Sequence, residues 1–233
     1  MRRIFCALAG ALVSCTAFAA DPDPDPEPNP FAAPGWDRPT DPDKDCKFKR
    51  ERAGLVITVP GKDHDLAIER GLMNSPRLLR EVEGDFVAEV RVSGNFVPSL
   101  GSTTNQRIPF VGAGLVLMAG DKTYVRLERA ALRLNGVVKT YANWELREDT
   151  RWVLAGRADV CPLQAKTTHL RLERKGDKVY GWVSEDGKKW TELKALEPKL
   201  PAKVKLGVAA GTTSTDPFSP RYDLFKLRKG KRN

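Results

Sequence analysis

Glu128 and Glu145 are the carboxylates of this chain whose neighbours have the types and spacing to do chemistry. Tyr124, Arg126 and Glu128 recur at every second residue, and so do Tyr141, Asn143 and Glu145. In an extended chain that step keeps each trio on one face. Across a hairpin, the six would form a platform of two rings, two carboxylates, an amide and a guanidinium. Flat rings stack on the apolar face of a sugar, and the polar groups meet its hydroxyls. Two carboxylates facing one groove also repel, which raises one pKa and sets an acid beside a base. Arg126 and Arg129 offer a plainer alternative, a solvated sheet face laced with ion pairs in which neither glutamate reacts.

Other chemistries find little support. Gly-x-Ser-x-Gly and His-Glu-x-x-His are both absent, and only two histidines occur, which argues against serine hydrolases and metalloproteases. There is no Cys-x-x-Cys and no histidine cluster, so spacing argues against zinc, and no metal or cofactor is expected. Asp41-Pro42-Asp43-Lys44-Asp45 alternates like a calcium loop, but Cys46 and Arg52 stand where that loop needs a glycine and an acid.

The elements that position these residues follow from alternation. A seven-residue phrase runs from Thr123 to Arg129 and again from Thr168 to Arg174, with apolar and charged residues in strict turn. Each copy predicts a half-buried strand. Further strands are predicted over 55–59, 86–92, 111–118, 137–146, 204–209 and 222–227, with the segment between 60 and 85 irregular and 93–107 a long loop. Asn135-Gly136 predicts a tight hairpin, and Thr168 to Leu193 a three-stranded meander. Many short strands with almost no helical period predict an all-β, antiparallel two-sheet sandwich, read as a jelly roll. Trp36, Trp152, Trp182 and Trp190 are read as core or edge residues.

Residues 1–20 read as a signal peptide: a basic start, an apolar run from Ile4 to Cys15, and Ala17-Phe18-Ala19 as cleavage site. Leu12-Val13-Ser14-Cys15 also fits a lipobox, which would lipidate Cys15 and make the membrane a partner. Secreted or periplasmic placement is expected, with a lipoprotein as the alternative. Residues 21–44 read as an acidic, proline-rich linker, 45–229 as the sandwich and 230–233 as a basic tail. Of the formal charge of +9, two positives belong to the leader and −6 to residues 21–45, which leaves +13 on 46–233. Such a surface favours anionic polysaccharide or headgroups, or is only a solvated outer face; export and the lack of a nucleic-acid motif argue against nucleic acid. Cys46 and Cys161 remain after the leader, either as a disulfide or as two buried thiols.

Glu83-Gly84-Asp85-Phe86, Gly112-Ala113-Gly114-Leu115, Tyr124 to Glu128, and Leu172-Glu173-Arg174 followed by Val183 to Trp190 resemble a bacterial branch of the concanavalin A-like lectin/glucanase superfamily. The branch is a domain-of-unknown-function family sometimes labelled regulation-of-enolase-like, and the resemblance spans about Asp45 to Arg228. It implies a curved sandwich whose concave face and rim loops meet carbohydrate, and it leaves a rim calcium of lectin type open. Glucanases of the superfamily carry Glu-x-Asp-x-x-Glu on one strand; Glu83-Gly84-Asp85 comes nearest, but Phe86-Val87-Ala88 follows and the string reads as a turn. The expectation is an exported, monomeric, non-catalytic carbohydrate-binding module. The alternatives are a glycan-active hydrolase similar to keto-disaccharide hydrolases and an envelope protein that binds through its basic surface.

Overall fold

A computed structural model describes residues 28–105, 107–154 and 156–230. The leader, Cys15, the start of the expected linker and the last three residues lie outside that range. In chain order, β1 (Lys47–Glu51) and β2 (Gly54–Thr58) form a hairpin. A flap follows, made of β3 (Leu66–Ala67), one 3-10 turn (Ile68–Arg70) and β4 (Leu72–Met73). Next come β5 (Arg77–Glu83), β6 (Phe86–Ser93), β7 (Phe110–Met118), β8 (Tyr124–Leu134), β9 (Val137–Glu148) and β10 (Arg151–Leu154). The chain ends with β11 (Thr167–Lys175), β12 (Lys178–Ser184), β13 (Thr191–Glu192), β14 (Lys203–Thr212) and β15 (Arg221–Lys229).

Two antiparallel sheets face each other, of order β1-β2-β15-β6-β11-β12-β13 and β10-β9-β8-β7-β14-β5. The protein is an all-β jelly-roll sandwich. Alternation makes the core: Ala88, Val90 and Val92 of β6 and Leu170 and Leu172 of β11 meet Leu115, Leu117, Val125, Leu127, Trp144 and Leu146 of the other sheet. Asn135 and Gly136 close the β8–β9 hairpin with φ of 51° and 79°, both left-handed, as a two-residue turn requires.

Besides the two-residue β3 and β4 of the flap, three strands escaped the sequence reading, and all three lie at edges of the two large sheets: β1, β5 and β10. An edge strand is half-solvated and carries charge freely, so Lys47–Glu51 and Arg77–Glu83 lack clean alternation. The second half of the expected linker also differs. Phe31 is fully buried, its ring centroid 5.3 Å from Trp36 and 5.4 Å from Phe225. The amides of Asp37 and Thr40 donate to Leu79 and Arg77, so this strap covers the free edge of β5. Two aromatic residues among prolines and acids leave no periodic trace, although they are enough to seat the segment. Cys46 and Cys161 are free, half-buried thiols, which corrects the disulfide alternative. The physical reason is placement: Cys46 leads into β1, whereas the Cys161 carbonyl accepts from Ala142 of β9 in the opposite sheet.

Candidate functional site

The site lies on the outer face of the six-stranded sheet. The flap folds across part of this face, and Leu66 packs with Leu79, Val116, Met118, Tyr124 and Ala209 in a second, small core. Beyond the flap a cleft of about 280 Å³ remains, with Arg126, Glu145 and Arg147 at its floor and Ile108, Tyr141 and Trp152 among its walls. The Pro162 backbone bridges to Tyr141 where β10 has ended, which carries the following loop along β9. Gly156 of that loop crosses close over Asn143; a Cβ there would fall 1.6 Å from Asn143 Oδ1.

The floor is a buried ion network. Arg126 donates to Asp65 at 2.9 Å, to Glu128 at 2.8 Å and to the Leu66 carbonyl at 2.9 Å, and it lies 3.6 Å from Glu145. Arg147 donates to Glu145 at 2.7 Å and to Glu69 at 3.0 Å. Arg107 reaches Asp63 and Asp65 from the long loop. Asn143 adds a hydrogen bond to Glu128 at 2.9 Å. Burial pushes the Glu145 carboxyl above its usual value, and the Arg126 and Arg147 guanidiniums only partly counter it. Burial acts the same way on Asp65, but there Arg126 and Arg107 prevail and hold the carboxyl below the usual range. The result is a pair of carboxyls driven in opposite directions in one cleft.

All six residues expected on the platform do share the outer face, yet they are not solvated as expected. Tyr124 is sealed under the flap, its hydroxyl donating to the Leu66 carbonyl at 2.8 Å and accepting from the Ile68 amide at 3.2 Å. Burial pushes its pKa up to about 12. Arg126, Glu128 and Asn143 are buried in the network, and only Tyr141, Arg126 and Glu145 of the six line the cleft. Glu128 and Glu145 sit diagonally, since Arg126 pairs with Glu145 and Glu128 with Asn143. Arg129 is no partner to either: it turns to the core side, donates to Thr168 at 2.8 Å and lies over Phe96.

Sequence reasoning missed Asp65, Glu69, Arg107, Arg147 and Trp152. Arg147 was within reach, because it continues the step of two through Tyr141, Asn143 and Glu145. Asp65 and Arg107 come from irregular segments that carry no pattern. Trp152 was read as a core or edge residue; it is on an edge strand, but its ring is 51 % exposed at the cleft, with the Arg147 guanidinium 4.5 Å from its centroid.

No family model and no curated protein matches the chain. Solved structures share its fold. A functionally unknown protein from Saccharomyces cerevisiae aligns with a TM-score of 0.63 at 15 % identity, over 84 % of this chain and 96 % of that one. Bacteroides ovatus xyloglucan PUL GH43B aligns with 0.57 at 17 % identity over 92 % of this chain, which spans 41 % of that chain's length. Lectin I-B4 from Griffonia simplicifolia, in its metal-free form, aligns with 0.51 at 10 % identity over 80 % and 92 %. These likenesses show the fold, a lectin-like jelly-roll sandwich. Among the described residues no helix is long and apolar enough to cross a membrane.

Proposed function

We propose that the chain is a non-catalytic carbohydrate-binding module that takes a neutral sugar in the cleft beside the flap. The supporting observation is the pairing of an exposed ring, Trp152, with a polar floor whose charges are already matched within the protein. A ring in that position stacks on a pyranose, while Tyr141 and the free lone pairs of Glu145 meet hydroxyls. A volume of about 280 Å³ suits one terminal sugar better than a chain running through. Four guanidiniums (Arg70, Arg107, Arg126, Arg147) and three carboxylates (Asp65, Glu69, Glu145) line the cleft, with the carboxylates of Asp63 and Glu128 paired to Arg107 and Arg126 behind them, so positive and negative charge nearly balance and an anionic polysaccharide gains little here. Export through the leader fits such a role, because glycans of this kind are met outside the cell.

The test is a glycan array followed by calorimetry on each hit. Binding should change little between low and high salt, fall at least about 10-fold in Trp152→Ala through loss of stacking, and weaken in Tyr141→Phe. A hit that ignores both substitutions, or that collapses with salt, rejects this site. The opposed shifts of Glu145 and Asp65 favour a second reading, a glycan hydrolase with Glu145 as acid. Disaccharide turnover lost in Glu145→Gln would establish it, and inertness across a substrate panel would end it.

A further inference from the structure

On the far side of the flap's first residues a second cluster stands apart from the cleft. His64 pairs through its backbone with Thr212, while its flanking residues Asp63 and Asp65 turn to Arg107. The His64 ring is fully buried and points the opposite way, toward the start of β1. There its Nε2 lies 3.2 Å from Asp45 Oδ1, yet it makes no hydrogen bond. The Cys46 sulfur is 3.7 Å from the same carboxylate oxygen, and the three ligand atoms all lie within 4.8 Å of one another.

We propose that Asp45, Cys46 and His64 form a zinc site. With bonds of about 2.0–2.3 Å, two ligands on a tetrahedral zinc are separated by roughly 3.3–3.8 Å. The oxygen–nitrogen and sulfur–oxygen separations already fall near that range. A thiolate and an imidazole select zinc over calcium or magnesium, which want oxygen alone.

The surroundings of the histidine support the assignment. Its other ring nitrogen, Nδ1, lies 3.4 Å from the Asn74 carbonyl and 3.5 Å from Asp43 Oδ2, and Asn74 Nδ2 donates to that carboxylate at 2.7 Å. A proton on Nδ1 facing those oxygens leaves the Nε2 lone pair directed at a carboxylate oxygen. That pairing is repulsive unless a proton or a metal ion stands between them, and Nε2 makes no hydrogen bond there. The carboxylate–histidine–metal relay is the usual way such a ring is oriented. Lys62 Nζ takes Asp45 Oδ2 at 2.9 Å and leaves Oδ1 to the site. Asp41 fixes the Cys46 backbone by accepting from its amide with Oδ2 at 2.9 Å, and a water would complete the tetrahedron of a three-ligand site. On binding, zinc replaces the thiol proton, which leaves to solvent. The three ligands would tie the end of the strap to the segment that carries Asp65, and so brace the cleft from behind.

Spacing hid this site, because His64 lies 18 positions beyond Cys46 and outside any zinc-ligand pattern. The test uses the full chain, loaded separately with zinc and with cobalt(II) as a spectroscopic probe. One equivalent of zinc should survive dialysis, and cobalt should give the charge-transfer absorption of a metal–thiolate bond. Cys46→Ser should lose that absorption and weaken zinc binding by at least about 100-fold, and Asp43→Asn by about 10-fold through the outer shell. Cys161→Ser should keep both signals. Zinc uptake equal in wild type and Cys46→Ser, or an absorption that follows Cys161 instead, would overturn the proposal. Because the readout is metal rather than sugar, it stands or falls independently of the cleft.

Discussion

Removing the Arg126 guanidinium would leave buried Asp65 with Arg107 as its one cation and buried Glu128 with the Asn143 amide but no cation. A buried charge left alone costs more than the pair was worth, so Arg126→Ala should destabilise the fold by about 3–5 kcal/mol. A shift in the denaturant midpoint checks it, and a loss below 1 kcal/mol would mean the network is not closed. Trp152→Ala should show the reverse profile, with stability within about 0.5 kcal/mol because the ring is exposed and sugar binding lost. At this scale the sequence was informative about direction and silent about cover. Period two correctly put Tyr124, Arg126, Glu128, Tyr141, Asn143 and Glu145 on one face. It carried no signal that residues 66–73 and 156–162 fold over that face, because neither segment has a period of its own.

Among the elements, the turn from Ser184 to Lys189 shows how a short string sets both shape and charge. Asp186 accepts from the amides of Lys188 and Lys189, each at 2.8 Å, and from the Ser184 hydroxyl at 3.0 Å, while Gly187 takes a φ of 71°. Those amide donors bring the Asp186 carboxyl down to about 2. Its folded value is depressed, so its contribution to stability is present above the unfolded pKa of 3.8 and fades as pH falls toward 2. Carboxyl NMR should find Asp186 titrating near pH 2, and Asp186→Asn should flatten the stability profile between those limits. A normal titration near 3.8 would contradict the turn geometry. The flap makes a parallel point about packing. Leu66→Ala opens a cavity in the small second core and should cost about 2–5 kcal/mol, read from thermal or denaturant unfolding. Central strands and turns were legible because burial on one face imposes alternation; β1, β5 and β10 were not, because an edge relaxes that demand.

For the whole molecule the strap matters most. Phe31 and Trp36 close over Phe225, and the strap backbone occupies the edge of β5 that would otherwise invite pairing with another chain. Phe31→Ala should therefore cost about 3–5 kcal/mol, and limited proteolysis should spare residues 29–45 of the wild type but cut them in that variant. Rapid cleavage within the wild-type strap would show that it is a linker after all. By itself the sequence determined the sheet content, the antiparallel hairpins and which side chains share a face, since these depend on neighbours two to ten residues apart. Only the tertiary structure decided which face is covered, where the cleft opens and that His64 meets Asp45 and Cys46. Those outcomes join segments distant along the chain, and burial between such segments leaves no local pattern to read.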